Sequence, residues 1–289
     1  MLKVRLKLMK LLNLIRYPRI FGSYYVFFKG RPYTAPSMRQ RNILASSLRG
    51  DKNSEQTSII YNLIRANGRI NPIILDIGGN IGYVALEYNR LLDKLGHGRC
   101  ISFEPYSKSC GHFLNNTKLA SRVHLFNFGL GQKTSFTKFG IPEYVHRIGK
   151  DMANTGFYSS KNIPNNTGVF CAVYKLDDIS TIFNFNDSPI SFVKIDVEGS
   201  ELDVILGSKA TLATHKPCLQ IEFNRHTTSE NDYKSLFRIL TDLGYRCFSL
   251  EHFDNLSSIE HYVEPYYIHE SEFKQIEFAD SLMHRVAHL

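Results

Sequence analysis

The chain has 289 residues, 43% hydrophobic and 21% charged, with 19 glycines and 10 prolines, which describes a folded protein with a sizeable core and excludes collagen-like and low-complexity chains. Its 5 cysteines are widely spaced and form no C-x-x-C, which excludes a disulfide scaffold and a Cys-rich zinc module and favours a reducing compartment. The net charge of +8 is lopsided: residues 1–50 hold 11 basic residues and no acidic one, while the other 239 hold 24 basic and 27 acidic, a body that argues against nucleic acid as partner.

Residues 1–50 therefore read as a basic N-terminal arm and 51–289 as one domain. Lys3, Arg5, Lys7 and Lys10 interrupt the apolar residues, so no run reaches the roughly 18 to 20 residues of a membrane span. No small-x-small cleavage site follows, which argues against a secretory signal. On a helical wheel Val4, Leu8, Leu11, Leu12 and Ile15 share one face and Lys3, Lys7 and Lys10 another, blurred by Leu2, Leu6 and Leu14. Two readings stay open: residues 1–16 lie on an anionic membrane face, or they form a helix packed on the core. A mitochondrial transit peptide fits less well, because lysine outnumbers arginine up to Lys10 and no serine precedes Ser23.

Beyond the arm, Ile59, Ile60, Leu63 and Ile64 recur at helical spacing within 51–68, and Asn67-Gly68 stops that helix. Residues 73–77 (IILDI) are a continuous apolar run, as in a strand buried on both faces of a parallel sheet. A helix over 83–95, a strand over 100–104, a helix over 107–119 and a strand over 123–128 follow. Residues 132–175 are polar, with strand-like ends, and read as a β-rich insertion. Strands over 190–197, 218–223 and 245–250 alternate with helices over 200–212 and 230–243, and a last strand falls in 262–268. Alternation of this kind predicts right-handed crossovers and a doubly wound, Rossmann-like sheet.

The sharpest motif is Asp76-Ile77-Gly78-Gly79-Asn80-Ile81-Gly82, between a buried strand and a helix. Glycines there let a ligand approach the backbone at a helix N-terminus. The spacing is not G-x-G-x-x-G, and an acid at the strand end suits a cationic ligand such as S-adenosylmethionine better than a pyrophosphate. Glu104 ends the next strand, where a carboxylate can accept from two ribose hydroxyls. Asp76, Glu104, Asn127, Asp196 and Glu222 all fall at strand ends, where open α/β sheets bind ligands. In Val193-Lys194-Ile195-Asp196-Val197-Glu198-Gly199, alternation sends Lys194, Asp196 and Glu198 to one side, which is costly unless the charges pair or work.

These residues carry a resemblance. Leu176-Asp177-Asp178, the KIDVEG segment at 194–199 with Glu201 and Gly207, then Pro217 and Glu222, closely resemble the FkbM-type S-adenosylmethionine-dependent methyltransferases. The DIGGNIG loop, Phe103-Glu104-Pro105 and Asn154-Thr155-Gly156 match the same family, whose members often have alanine where this chain has Gly79. The resemblance implies a class I methyltransferase fold: a seven-stranded sheet with an antiparallel last strand, here with the insertion between strands 3 and 4. It also implies S-adenosylmethionine as cofactor and methyl transfer to a hydroxyl, often of sugars or natural products. By the match, Asp76, Gly78, Gly79, Asn80 and Gly82 line the methionine end, Glu104 takes the ribose, and Asn127 and Phe128 border the adenine.

An alcohol nucleophile needs a base within reach, and Asp196, Glu222 and His226 are the candidates in that order. Asp196, Glu198 and Glu222 have the oxygens a divalent cation needs, but an internal Lys194 salt bridge explains the same residues, so no metal is expected. His146, Arg147, Asn154 and Tyr158 lie in the insertion, where a polar lid suits a hydroxyl-rich acceptor. The expected function is O-methylation of a glycan, glycolipid precursor or related natural product, in the cytoplasm and, if the arm lies on lipid, at the inner membrane face. The competing readings are a non-catalytic cofactor-binding scaffold, which the intact acid set disfavours, and a nucleic-acid methyltransferase, which the slightly acidic body disfavours.

Overall fold

The computed structural model describes residues 19–20, 23–36, 38–49, 54–139, 169–180, 182–183, 188–224, 227–250 and 262–286. Residues 1–16, the insertion residues His146, Arg147, Asn154 and Tyr158, and the base candidate His226 lie outside them.

Strands β1 (Arg19–Ile20), β2 (Ser23–Phe28) and β3 (Arg31–Ala35) form a small antiparallel sheet. Lys29 and Gly30 close the β2–β3 hairpin with φ of +48° and +77°, the two positive values that a two-residue turn with matching twist requires. Helices α1 (Met38–Arg49) and α2 (Ser54–Asn67) lead into the domain. The order continues with β4 (Ile73–Ile77), α3 (Tyr83–Leu95), β5 (Arg99–Phe103), α4 (Ser107–Thr117) and β6 (Val123–Phe126). Next come β7 (Gly129–Leu130), β8 (Ser135–Phe139), β9 (Val169–Tyr174), α5 (Leu176–Ile179), β10 (Ile190–Ile195), α6 (Glu201–Leu206), α7 (Lys209–His215), β11 (Cys218–Ile221) and β12 (Phe223–Asn224). The chain then runs through α8 (Glu230–Asp242), β13 (Tyr245–Ser249), β14 (Tyr262–Val263), β15 (Tyr266–His269), α9 (Phe273–Asp280) and β16 (His284–Arg285).

The main sheet has the order β16-β13-β15-β11-β10-β4-β5-β6. Strands β6, β5, β4, β10 and β11 run parallel, and β15 pairs antiparallel with both β11 and β13. Eight strands are thus described where seven were expected. The eighth is β16, two residues that pair with the edge of β13 after α9 turns the chain back. Between β6 and β10 a separate sheet of order β7-β9-β8 joins β7, which precedes the insertion, to strands β8 and β9 at the insertion's two ends.

The continuous apolar strands are explained by cover on both faces. Ile73, Leu75 and Ile77 of β4 enter a core shared with Val204, Leu212 and Leu236 of α6, α7 and α8. Ile74 points the other way, into a core shared with Leu63, Leu91 and Ile276 of α2, α3 and α9. Each such side chain, fully withdrawn from water, contributes roughly 1.5–3 kcal/mol. Within the stretch assigned to the basic arm, the hairpin and α1 carry Val26, Ala35, Leu44 and Leu48 into a third core, closed from the other side by Ile81 of the DIGGNIG loop. Among the described residues no helix is long and apolar enough to cross a membrane.

One helix expected over 200–212 is two. Gly207 separates α6 from α7, and a Cβ on it would lie 1.9 Å from the carbonyl oxygen of Gly131. The start of α7 is then capped from a distance: Asp177 accepts from the amides of Ala210 (3.1 Å) and Thr211 (2.8 Å) and from the Thr211 hydroxyl (2.8 Å). The Leu176-Asp177-Asp178 motif therefore serves the architecture through Asp177.

Candidate functional site

Register and alternation lay a polar row across one face of the main sheet. Ser102, Asp76, Lys194, Gln220 and Tyr266 stand side by side on β5, β4, β10, β11 and β15, all buried. The Ser102 hydroxyl donates to Asp76 Oδ2 at 2.9 Å, and Gln220 Nε2 donates to the Tyr266 phenol oxygen at 3.2 Å. Burial pushes Asp76 up to about 6, against the pull of Lys194 and Ser102.

Two residues further along each strand, at the carboxyl edge, the same face continues through Glu104, Gly78, Asp196 and Glu222, with Glu264 preceding the antiparallel β15. Lys194 rises from the lower row to meet the upper one. Its Nζ donates to Asp196 Oδ2 at 2.9 Å and lies 3.7 Å from Glu264 Oε1. Burial works against the charge of Lys194, but Asp196, Glu264 and Glu222 hold its pKa well above the ordinary lysine value. Glu222 is pushed up to about 9 by burial and then by Asp196, with Lys194 opposing and Glu264 and Glu198 adding. Asp196 is partly exposed, and among the described residues nothing bonds its Oδ1.

Glu104 is fixed by two backbone amides. Its Oε2 accepts from Asn80 N–H at 2.9 Å and its Oε1 from Tyr106 N–H at 2.8 Å. Burial still pushes it up to about 7, so its carboxyl both accepts and donates near neutral pH. Asn127 holds the turn beneath: its Nδ2 donates to the carbonyls of Glu104 (2.9 Å) and Pro105 (3.1 Å). Phe128 belongs to an aromatic cluster, 5.5 Å from the Phe103 ring and 4.8 Å from Tyr174.

The glycines of the loop are needed by the protein's own packing. Gly78 has φ of +94°, and a Cβ there would lie 1.8 Å from the carbonyl oxygen of Asp196. Gly82 has φ of +82°, and its Cβ would meet Thr117 and Phe113 of α4. Gly79 also faces Phe113, at 3.0 Å from a built Cβ. The glycines thus let β10 and α4 close around the loop, whereas the sequence suggested room for a ligand. Asp76 sits one row below the edge, under that loop, and not at its rim.

The KIDVEG segment ends in a strained turn, with φ of +54° at Glu198 and +101° at Gly199. Glu201 stabilises it: Oε1 accepts from Gly199 N–H at 2.9 Å and Oε2 from the Thr228 hydroxyl at 3.3 Å. Burial pushes Glu201 up to about 7. Two members of the group escaped sequence reasoning. Tyr83 opens α3, and burial together with Asp196 raises its phenol pKa; its place directly after the glycine loop was the available signal. Glu264 comes from the C-terminal tail, and only strand pairing brings it to Lys194. Among the described residues no cluster of three or more His, Cys, Asp or Glu is arranged to hold a metal ion.

Residues 76–247, more than half of the chain, match the model of the methyltransferase FkbM domain, and the chain belongs to that family. The family's methyl donor is S-adenosylmethionine. No match was found among curated proteins. Similar solved structures include a methyltransferase FkbM from Methylobacillus flagellatus KT, with 18% identity and a TM-score of 0.42, over 80% of this chain and 55% of that one. This chain therefore matches little more than half the length of that protein. The O-methyltransferase TomG from Streptomyces achromogenes, in complex with S-adenosylmethionine, shares 11% identity at a TM-score of 0.43 over 78% of this chain and 89% of its own. Fibrillarin from Aeropyrum pernix, with natively bound S-adenosyl-L-methionine, shares 13% at 0.39 over 87% and 84%. The donor set fits the cofactor: two carboxylates, Asp196 and Glu264, face the single Lys194 where a sulfonium and an ammonium need neutralising, and Glu104 keeps lone pairs beyond those its two amides take.

Proposed function

We propose that this FkbM-family methyltransferase methylates a hydroxyl of an uncharged, oxygen-rich acceptor such as a glycan, glycolipid precursor or related natural product. The observation that carries the reading is Asp196: Lys194 grips one carboxylate oxygen at 2.9 Å, and among the described residues nothing bonds the other, on the edge that also presents Glu104. S-adenosylmethionine, when bound, supplies an electrophilic methyl group. Glu104 would take the ribose hydroxyls, and the backbone at 78–82 with Asn80 the methionine end. Asp196 Oδ1 accepts the acceptor's proton, with Lys194 holding the carboxylate in place. Glu222, protonated up to about pH 9, donates a hydrogen bond to the acceptor at neutral pH and is not its base. The carboxylates of Asp196 and Glu264 outnumber the one cation, Lys194, that they face, which favours an uncharged acceptor over nucleic acid. The basic residues of the arm, 1–16, would bring the enzyme to an anionic membrane face.

The test is transfer of labelled methyl from S-adenosylmethionine to acceptors in a cell extract. Wild type should label a glycan or lipid fraction, and Asp196→Asn should slow transfer by about 10²- to 10⁴-fold while S-adenosylmethionine affinity stays within about twofold. Undiminished transfer by Asp196→Asn defeats the assignment of the base. Label confined to nucleic acid defeats the acceptor class.

A further inference from the structure

Asn80 sits in the glycine loop in the left-handed region, with φ of +49°. Its backbone N–H is committed to Glu104 Oε2. Its side-chain oxygen is committed elsewhere: Gln40, buried on α1, donates from Nε2 to Asn80 Oδ1 at 3.0 Å. With its oxygen held on one side by Gln40, the amide is fixed in orientation and its NH2 end is turned away from α1. Among the described residues no acceptor bonds that Nδ2. Gln40 lies outside residues 76–247, on a helix held down by several independent contacts. The Ser47 hydroxyl donates to the Tyr83 carbonyl at 3.2 Å, Arg90 donates to the carbonyls of Ser47 and Leu48, and Leu44 and Leu48 pack with Ile81. The helix that carries Gln40 is therefore locked to the segment that directly follows Asn80, Ile81 and α3.

We propose that Gln40 is a positioning residue for the cofactor: by holding Asn80 Oδ1, it fixes the amide so that Nδ2 donates to the methionine carboxylate of S-adenosylmethionine. The inference rests on the assignment of the glycine loop to the methionine end. A carboxylate is the group such a donor selects, because the bond is charge-assisted. The same geometry assigns a sign to substitutions at position 40. A side chain there that accepts instead of donating would pull Nδ2 toward α1 and turn the Asn80 carbonyl on the ligand carboxylate.

Calorimetry on the full chain tests this with two ligands, S-adenosylmethionine and 5′-methylthioadenosine, which lacks the amino-acid portion. Gln40→Met keeps the side chain's length and removes the donor. It should weaken S-adenosylmethionine about tenfold and leave methylthioadenosine within about twofold. Gln40→Glu should weaken S-adenosylmethionine more than Gln40→Met does, although it can still hydrogen-bond Asn80; a purely structural role predicts the reverse order. With Asn80→Ala already in place, Gln40→Met should add nothing. Equal losses for both ligands, or a Gln40→Glu milder than Gln40→Met, overturn the proposal. Glu104→Gln separates the two levels: if it leaves both ligands bound at wild-type affinity, the assignment of the pocket itself is wrong, whatever position 40 does.

Discussion

Glycine 78 and glycine 79 are neighbours with opposite tolerances. A methyl on Gly78 would sit 1.8 Å from a backbone oxygen, at a φ of +94° that L-residues avoid. Nothing flexible can yield there, so Gly78→Ala should destabilise by roughly 3 kcal/mol or more and remove S-adenosylmethionine binding with it. At Gly79 the nearest atoms are the rim of Phe113 at 3.0 Å and Ser102 Cβ at 3.2 Å, and φ is ordinary. Gly79→Ala should cost less than about 1.5 kcal/mol and keep binding. Urea denaturation of the two variants decides it, and equal losses would refute the distinction. The motif was legible in the sequence, but the reason for its glycines was not. The atoms that crowd Gly78 belong to Asp196, 118 positions away. Likewise Asp76, Glu104, Asp196 and Glu222 could be read as strand-end acids, while their division into two rows depends on register, which local pattern leaves open.

Among the elements, the continuous strands and amphipathic helices of the domain were readable because each buries a face of fixed period. The hairpin over 23–35 and α1 were not. Their composition is basic, and their burial depends on partners far along the chain: Ile81 from the glycine loop, and Asn116 of α4. Asn116 acts as a surrogate strand partner for Thr34, accepting from its N–H at 2.8 Å and donating to its carbonyl at 2.9 Å. The crowding at the α6–α7 junction was hidden for the same reason, since the atom that keeps position 207 a glycine is the carbonyl of Gly131. Deleting residues 1–50 should therefore uncover Ile81 and leave buried Asn116 short of two partners. Those losses are worth roughly 3–6 kcal/mol, which should lower Tm by about 10 °C. Deleting residues 1–16 should leave Tm within about 2 °C and abolish cosedimentation with anionic vesicles. A large fall in Tm for the short deletion would favour the core-packed helix. A Tm unchanged by the long one would mean that the third core is dispensable.

Taken across the molecule, the buried acids set a direction for stability with pH. Burial raises Asp76 from 3.8 to about 6, Glu104 and Glu201 from 4.5 to about 7, and Glu222 from 4.5 to about 9. Each folded-state pKa lies above its unfolded value, so between them the native state holds more protons than the unfolded chain. Stability then decreases as pH rises. The contribution is complete below about pH 4, where both states are protonated, and it is lost as pH climbs through the folded values of about 6 to 9. This is the reverse of a protein whose acids are salt-bridged with lowered pKa. It follows because one lysine serves Asp196 and Glu264 directly and leaves Glu222 to burial and like charge. Scanning calorimetry of the ligand-free protein at constant ionic strength should show Tm falling from pH 6 to pH 9. Glu222→Gln, which cannot ionise, should flatten the upper part of that fall between about pH 7.5 and 9 while leaving the lower part to Asp76, Glu104 and Glu201. A Tm that is level or rising over the same range, or a Glu222→Gln curve parallel to wild type, would show that these carboxyls ionise freely and that the edge is far more hydrated than its burial indicates.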